Sequence, residues 1–198
     1  MEEYPSLYAG LLRNMTVRIT LETAYTSENR TIEDEAWNSL RMVSDNGLVA
    51  LSDDWTRSKN LLQAQRFPWD KTKGLYILNG FHSLHCLHML RHSTLEAFDG
   101  NNQTLAREHV AHCLNTLREE VMCNADDTPR YTGRVNEQAS AEHATSGIGQ
   151  TKMCRDFNQL EQWAVEHSAC YKPIDVYNDS FPRIERYKFC PNGEKLWP

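Results

Sequence analysis

A ten-residue repeat is the feature that most constrains the fold of this chain. The segment HSLHCLHMLR at 82–91 recurs as HVAHCLNTLR at 109–118, with six of ten positions identical and an offset of 27 residues. Each copy predicts a helix, because at about 100° per residue the two histidines of HxxH lie one turn apart on one face. The intervening FDGNNQ at 98–103 predicts a turn. We therefore expect two helices packed as an antiparallel or steeply crossed pair.

The apolar residues of the repeat predict how the two helices pack. Two leucines in each copy form a core-facing stripe beside the histidine pair. If the two stripes pack together, both pairs of imidazoles come to one end of the interface. Converging imidazoles are typical of transition-metal sites, so the repeat predicts a metal centre. The stripe consists of Leu87, Leu90, Leu114 and Leu117, and the predicted metal ligands and catalytic residues are His82, His85, His109 and His112.

Four further residues are second-rank candidates for this centre. His88 and His92 add imidazoles on the first helix alone, because the second copy has Asn and Glu at the equivalent positions. His143 lies in a polar loop that would fold over a site. Asp126 follows the second helix and would accept a hydrogen bond from an imidazole N–H. His167, by contrast, is expected to be structural.

The ligand type limits the metal but leaves two possibilities open. Imidazole suits copper, zinc and iron, whereas calcium and magnesium prefer oxygen. If the cysteine of each HxxHC copy also ligates, a closed tetrahedral zinc site results. If the thiols are oxidised to disulfides, the remaining imidazoles favour copper, with zinc or iron as weaker expectations.

Cysteines and glycosylation sequons together favour an oxidising compartment. We expect three disulfides that staple the helices and the C-terminal segment, with the two cysteines of the repeat as alternative metal ligands. No secretory signal is visible at the start of the sequence. The disulfide candidates are Cys86, Cys113, Cys123, Cys154, Cys170 and Cys190, and the glycosylation candidates are Asn14, Asn29, Asn102 and Asn178.

Composition and patterning place these motifs in a single compact domain. The 198 residues are 40% apolar and carry a net charge of -6, which argues against nucleic acid as a partner. No apolar run approaches the roughly 20 residues of a membrane-spanning helix. We expect a mainly α domain with a few short strands, stapled by disulfides around the HxxHC helix pair. Its parts are a strand-and-helix segment at 1–75, the helix pair at 76–123, a loop at 124–153, and a third helix with a tail at 154–198.

Local patterns within these parts predict individual elements. Alternation of apolar and polar residues predicts strands at 15–24 and 47–51, and helical spacing predicts a helix at 33–43. In the same way, the helices of the repeat are predicted at 76–92 and 104–123, and the third helix at 155–167.

Segments beyond the repeat resemble the UstYa-like family of fungal mycotoxin-biosynthesis proteins. They are YAGLLRNMTVRI, DEAWNSL, LNGFHSLHCLHMLR, HVAHCLNTLREEVMCNADDTP and MCRDFNQLEQWA, and they cover nearly the whole chain. The resemblance implies an oxidative tailoring enzyme that cyclises, hydroxylates, desaturates or halogenates a peptide or small metabolite, using dioxygen or a peroxide. It also implies copper held by the four repeat histidines.

The same resemblance implies a protein of the secretory-pathway lumen, with an N-terminal transmembrane anchor preceding this sequence. A homodimer, or a heterodimer with a paralogue, is expected. One departure is visible: family members often carry a His shortly before the Cys of CRDF, whereas QTKM stands here at 150–153.

Three alternative functions stay open at this point. The first is a non-catalytic metal-binding partner subunit of the same fold. The second is a non-redox cyclase in which His acts as acid and base. The third is a cytosolic zinc module built from Cys and His.

Overall fold

The computed structural model describes residues 4–20, 22–124, 149–174 and 181–198, with the backbone alone at 41–44. Within these ranges the chain forms five helices, five strands and two short 3-10 turns, at Ala24–Thr26 and Arg183–Tyr187. The domain is dominated by helices, as predicted. The helices are α1 (Arg30–Asp45), α2 (Asp53–Ser58), α3 (Asn79–Phe98), α4 (Arg107–Asn124) and α5 (Phe157–Glu166). The strands are β1 (Met15–Arg18), β2 (Leu48–Ser52), β3 (Arg66–Phe67), β4 (Asp70–Ile77) and β5 (Thr151–Cys154).

An antiparallel sheet of order β2-β4-β3 forms the centre of the domain. The predicted strand at 47–51 is confirmed as β2, whose residues 49–51 are all buried. Three consecutive buried positions require cover on both faces of the strand, because side chains alternate between faces. On one face Val49 and Leu51 pack with Phe81 of α3 and Ala164 of α5. On the other face, Ala50 packs in a second cluster of buried residues.

The strand β4 corrects the predicted start of the first repeat helix. Tyr76 and Ile77 pair with Val49 and Leu48 in the β2–β4 ladder, so the helix begins at Asn79 rather than at position 76. Cross-strand hydrogen bonding outweighs the helical spacing of these apolar residues. As a result, only Leu78 separates the last strand residue of β4 from the first residue of the HxxHC helix α3.

Close packing of α3 against α5 depends on a glycine at the start of α3. A Cβ added at Gly80 would lie 3.3 Å from Cδ2 of Leu160 and 3.4 Å from Cε2 of Phe157. The ring of Phe157 also contacts that of Phe81, with centroids 5.2 Å apart. These contacts fix the first turn of α3, directly before His82.

Two other elements differ in extent from the sequence-based predictions. The predicted strand at 15–24 ends at Arg18, after four residues that pair antiparallel with β5. The helix predicted at 33–43 is longer, because Oδ1 of Asn29 accepts a hydrogen bond from the amide of Thr31 and α1 begins at Arg30. Among the described helices, none has both the length and the apolar character needed to cross a bilayer.

The cysteines correct the expectation of three disulfides. One disulfide joins Cys170 to Cys190 and holds the C-terminal segment to the end of α5. The other four cysteines are free thiols on three elements: Cys86 lies on α3, Cys113 and Cys123 on α4, and Cys154 on β5. Nε1 of Trp69 donates a hydrogen bond to the carbonyl of Tyr187 at 2.6 Å, which is a second link to the C-terminal segment.

Candidate metal centre

The two HxxHC helices pack against each other with their histidines in register. The rings of His82 and His112 lie 5.5 Å apart between centroids, and those of His85 and His109 lie 6.2 Å apart. Later residues of α3 thus meet earlier residues of α4, so the helices are antiparallel where they contact. A hydrogen bond between Asn79, at the start of α3, and Glu120, near the end of α4, agrees with this antiparallel direction.

The pattern of contacts is that of a local twofold axis between the two copies. Each ring pair joins the first histidine of one copy to the second histidine of the other. Cys86 and Cys113, which are equivalent in the repeat, are both fully buried and lie next to each other, as residues near such an axis do. The structure therefore brings all four predicted histidines to the interface of α3 and α4, as two cross-helix pairs.

One of the two pairs has a cysteine beside it. Ligand atoms of His82, Cys86 and His112 lie within 4.8 Å of one another, and Sγ of Cys86 lies 3.8 Å from Nε2 of His82. Among the described residues, this is the one place where three such groups converge. Sequence reasoning left the role of Cys86 open, although its i,i+4 spacing from His82 already placed the two side chains on one face of the helix.

Burial differs sharply across the centre. Cys86 and Cys113 are fully buried, whereas His82, His85 and His109 are half-buried and His112 is exposed. Burial, followed by the hydrogen bond to Cys86 and the charge of Cys86, raises the pKa of the Cys113 thiol to about 12. Cys113 therefore stays protonated at physiological pH. The site has a closed interior on the cysteine side and access to solvent on the side of His112.

Of the second-rank candidates, the two that lie in the described part of the chain do not join these groups. His92 is exposed and contacts Oγ1 of Thr104 at 2.9 Å and the carboxylate of Glu96 at 3.1 Å. These contacts give it a role in holding the connection between α3 and α4. His88 is half-buried on α3, outside the converging group. The candidates His143 and Asp126 lie outside the described residues.

Other predicted sites lie on the surface or in the core. Asn14, Asn29 and Asn102 are exposed, and Asn178 lies outside the described residues. The ring of His167 stacks on Trp163 at 4.1 Å, and its Nδ1–H donates to the carbonyl of the same residue at 2.8 Å. These contacts give His167 a packing role at the end of α5.

Comparison with known proteins identifies the family. The family described as "Mycotoxin biosynthesis protein UstYa" matches residues 12–167, a range that includes both HxxHC copies. The chain belongs to the UstYa family. No solved structure matches this UstYa-family chain.

Curated relatives within the UstYa family carry the names of oxidative enzymes. The chlorinase cctP2 of Talaromyces islandicus is 35% identical over 98% of this chain and 62% of its own length. The hydroxylase cctR of the same fungus is 35% identical over 89% of this chain and 61% of its own length. The oxidase ustYa of Aspergillus flavus is 32% identical over 46% of this chain and 41% of its own length. The chain thus spans about three fifths of the length of the first two relatives.

The donor groups of this UstYa-family chain fit copper, and they fit zinc as well. The converging atoms are imidazole nitrogens and a thiol sulfur, which are borderline and soft ligands, and the group contains no carboxylate. Calcium and magnesium would require oxygen ligands and do not fit this set. A metal held there would be accessible to solvent on the side of His112, which is exposed.

Proposed function

We propose that this UstYa-family chain is a copper-dependent oxidative tailoring enzyme of fungal secondary metabolism. The observation that carries the proposal is the convergence of both HxxHC copies in two cross-helix imidazole pairs. The names chlorinase, hydroxylase and oxidase of its relatives support oxidative chemistry on a metabolite. The product would carry a new ring, hydroxyl, alkene or halogen.

The four histidines would hold the metal and fix its position. Copper bound there supplies one-electron redox chemistry toward dioxygen or a peroxide. His82 and His85 lie on α3, and the first turn of α3 packs closely against α5 at Gly80. Rigid placement of the ligands on two packed helices maintains the spacing between the imidazoles and the substrate.

A groove along the same helix pair would bind the apolar part of the substrate. It has a volume of about 710 Å³ and runs between Leu90 and Phe98 of α3 and Val110 and Leu114 of α4. The groove lies between the two helices that carry the histidine pairs, and its lining residue Val110 directly follows His109 in α4. Its apolar side chains suit a hydrophobic metabolite, and Phe98 and Leu114 are 83% and 58% exposed.

The proposal includes a location as well as a reaction. The exposed asparagines at Asn14, Asn29 and Asn102 are accessible for N-glycosylation, and the disulfide between Cys170 and Cys190 suits an oxidising compartment. We therefore place the protein in the lumen of the secretory pathway. A glycan-removal shift on electrophoresis of protein isolated from a fungal host tests this placement.

Oxygen-dependent turnover on a metabolite extract tests the reaction. Purified protein is loaded with copper and incubated with an extract from a fungal strain that lacks it, with and without dioxygen, and products are compared by mass spectrometry. We expect new oxidised or halogenated products that require both copper and oxygen. His85→Ala should abolish them, whereas His88→Asn, which gives the first copy the residue of the second, should not.

The same experiment separates the proposal from its alternatives. Turnover that survives chelation and the absence of oxygen would contradict it and would favour acid–base chemistry by histidine. Stoichiometric metal without turnover on any extract would favour a non-catalytic partner subunit.

A further inference from the structure

We propose that Cys86 binds the metal as a thiolate, so that His82, Cys86 and His112 form a copper–thiolate site that differs from the pair His85 and His109. The inference rests on the proposed function, because it concerns the same metal centre. It adds a sulfur ligand and makes the two halves of the duplicated centre unequal.

Geometry is the first argument for the sulfur ligand. The three ligand atoms already lie within 4.8 Å of one another, and Sγ of Cys86 is 3.8 Å from Nε2 of His82. His82 and Cys86 come from successive turns of α3, and His112 comes from α4. Donors that approach from two helices can surround an ion after small side-chain movements.

The chemistry of the donors is the second argument. A thiolate is a soft ligand that favours cuprous copper, zinc and iron–sulfur clusters, and two imidazoles with one thiolate are the donor set of blue-copper electron-transfer sites. On binding, the S–H bond of Cys86 breaks, its proton passes to solvent, and a sulfur–metal bond forms. The step changes no oxidation state and therefore needs no oxidant or reductant.

The broken symmetry of the repeat is the third argument. The local twofold axis relates His82, Cys86 and His112 to the set His109, Cys113 and His85. Among the described residues, only the first set converges within 4.8 Å. Cys113 is buried beside Cys86 but belongs to no second group of this kind among the described residues. Cys86 therefore supplies the sulfur of the converging group, and His85 and His109 are left as an all-imidazole pair.

X-ray absorption spectroscopy on the full chain tests the sulfur ligand. Apoprotein is loaded with one equivalent of cuprous ion without oxygen, and the copper edge is recorded for wild type, Cys86→Ser, Cys113→Ser and Cys123→Ser. We expect one sulfur and two nitrogen neighbours in wild type. The sulfur should persist in Cys113→Ser and Cys123→Ser and be lost in Cys86→Ser.

Affinity for cuprous ion gives a second readout. A competition assay against a chromophoric chelator should show a loss of at least about 100-fold in Cys86→Ser, because removal of an outer-shell partner alone typically costs 10–100-fold. If Cys86→Ser fails to fold, as judged by circular dichroism, wild type and Cys113→Ser still decide the matter. Sulfur bound to copper in both of these proteins supports the proposal. The absence of sulfur from the copper in both of them overturns it.

The outcomes distinguish this inference from the proposed function. Stoichiometric copper with nitrogen neighbours alone would overturn the thiolate ligand and leave the imidazole centre in place. Failure of the wild-type protein to bind copper would overturn both. Retention of sulfur at copper in Cys86→Ser, with its loss in Cys113→Ser, would transfer the ligand role to Cys113 and contradict the asymmetry argued above.

Discussion

Glu96 is a buried carboxylate on α3 that holds the connection to α4. It accepts hydrogen bonds from the amide of Thr104 at 3.0 Å and from its Oγ1 at 2.6 Å, and it contacts Nε2 of His92 at 3.1 Å. The hydrogen bonds from Thr104, followed by the charge of His92, hold the pKa of Glu96 below its ordinary value of 4.5, against the opposing effect of burial. This side chain therefore anchors the connection between α3 and α4 at Thr104.

Replacement of Glu96 should destabilise the fold in a pH-dependent way. Because its pKa is lowered in the folded state, its stabilisation is complete above pH 4.5 and disappears as the pH falls through the lower folded-state pKa. Glu96→Gln should lower the melting temperature by a few degrees near pH 7, with a smaller difference from wild type near pH 3. Thermal unfolding by circular dichroism measures both. Glu108→Gln, at an exposed position of α4, is the control. A decrease in the melting temperature of Glu96→Gln that is the same at both pH values would contradict the role of the carboxylate.

At the scale of elements, the arginines that end the two repeat copies make different contacts. Arg91 binds Asp34 at 2.5 Å and Glu33 at 3.2 Å and stacks over Trp37 at 5.4 Å, and so joins α1 to α3. Arg118 is exposed and hydrogen-bonds within α4, to Asn115 and Glu119. The hydrogen bond from Arg91 is the main cause of the lowered pKa of Asp34.

The two arginines therefore form a matched pair of test positions. Arg91→Met should lower the urea midpoint clearly, because it removes the half-buried cation that joins α3 to two carboxylates of α1, leaving them only Arg30 of their own helix, and it removes the contact with Trp37. Arg118→Met should leave the midpoint nearly unchanged, since exposed local ion pairs contribute little. Urea unfolding monitored by tryptophan fluorescence compares them. Equal losses at both positions would contradict the bridging role of Arg91.

The groove between α3 and α4 yields a kinetic prediction at the same scale. Leu114→Glu places a charge in the proposed binding surface for the apolar part of the substrate, two residues from His112. We expect KM to rise about tenfold with little change in copper content, because the charge opposes apolar contact without removing a metal ligand. KM is measured by steady-state kinetics on the substrate of a product identified in the extract assay. Asn115→Glu, on the neighbouring exposed position, is the control, and an unchanged KM in Leu114→Glu would exclude the groove as the substrate site.

At the scale of the whole molecule, one disulfide fastens the C-terminal segment. Cys170 and Cys190 are 20 residues apart in the sequence. A disulfide that closes a loop of that size contributes about 3 kcal/mol to the free energy of unfolding. The double variant Cys170→Ser/Cys190→Ser should lose about that amount in urea unfolding. Cys123→Ser, which removes an exposed free thiol, is the control.

Thiol titration provides an independent check on the cysteines. Unfolded, unreduced protein should show four reactive thiols, from Cys86, Cys113, Cys123 and Cys154. In the folded protein, exposed Cys123 should react first, and the buried pair Cys86 and Cys113 should react only upon unfolding. A count of zero or two in the unfolded protein would show further disulfides and contradict the arrangement described above.

The sequence alone predicts much of this molecule where a pattern is local. The repeat predicted both HxxHC helices and the face that carries their histidines, because helical spacing fixes directions within one element. The pairing of β5 with β1 was not predicted, since the two strands are separated by more than 130 positions and each has four residues. The different roles of Arg91 and Arg118, and of Cys86 and Cys113, were also not predictable, because identical motifs meet different neighbours in the folded chain.

The most direct test of the central claim is electron paramagnetic resonance on protein loaded with one equivalent of cupric ion. We predict hyperfine structure from imidazole nitrogens in wild type and in His88→Asn, and its loss or marked change in His82→Ala and His112→Ala. Mass spectrometry of the metal content on the same samples confirms the stoichiometry. Identical spectra in all four proteins, or no stoichiometric copper in wild type, would contradict a metal centre between the two HxxHC helices.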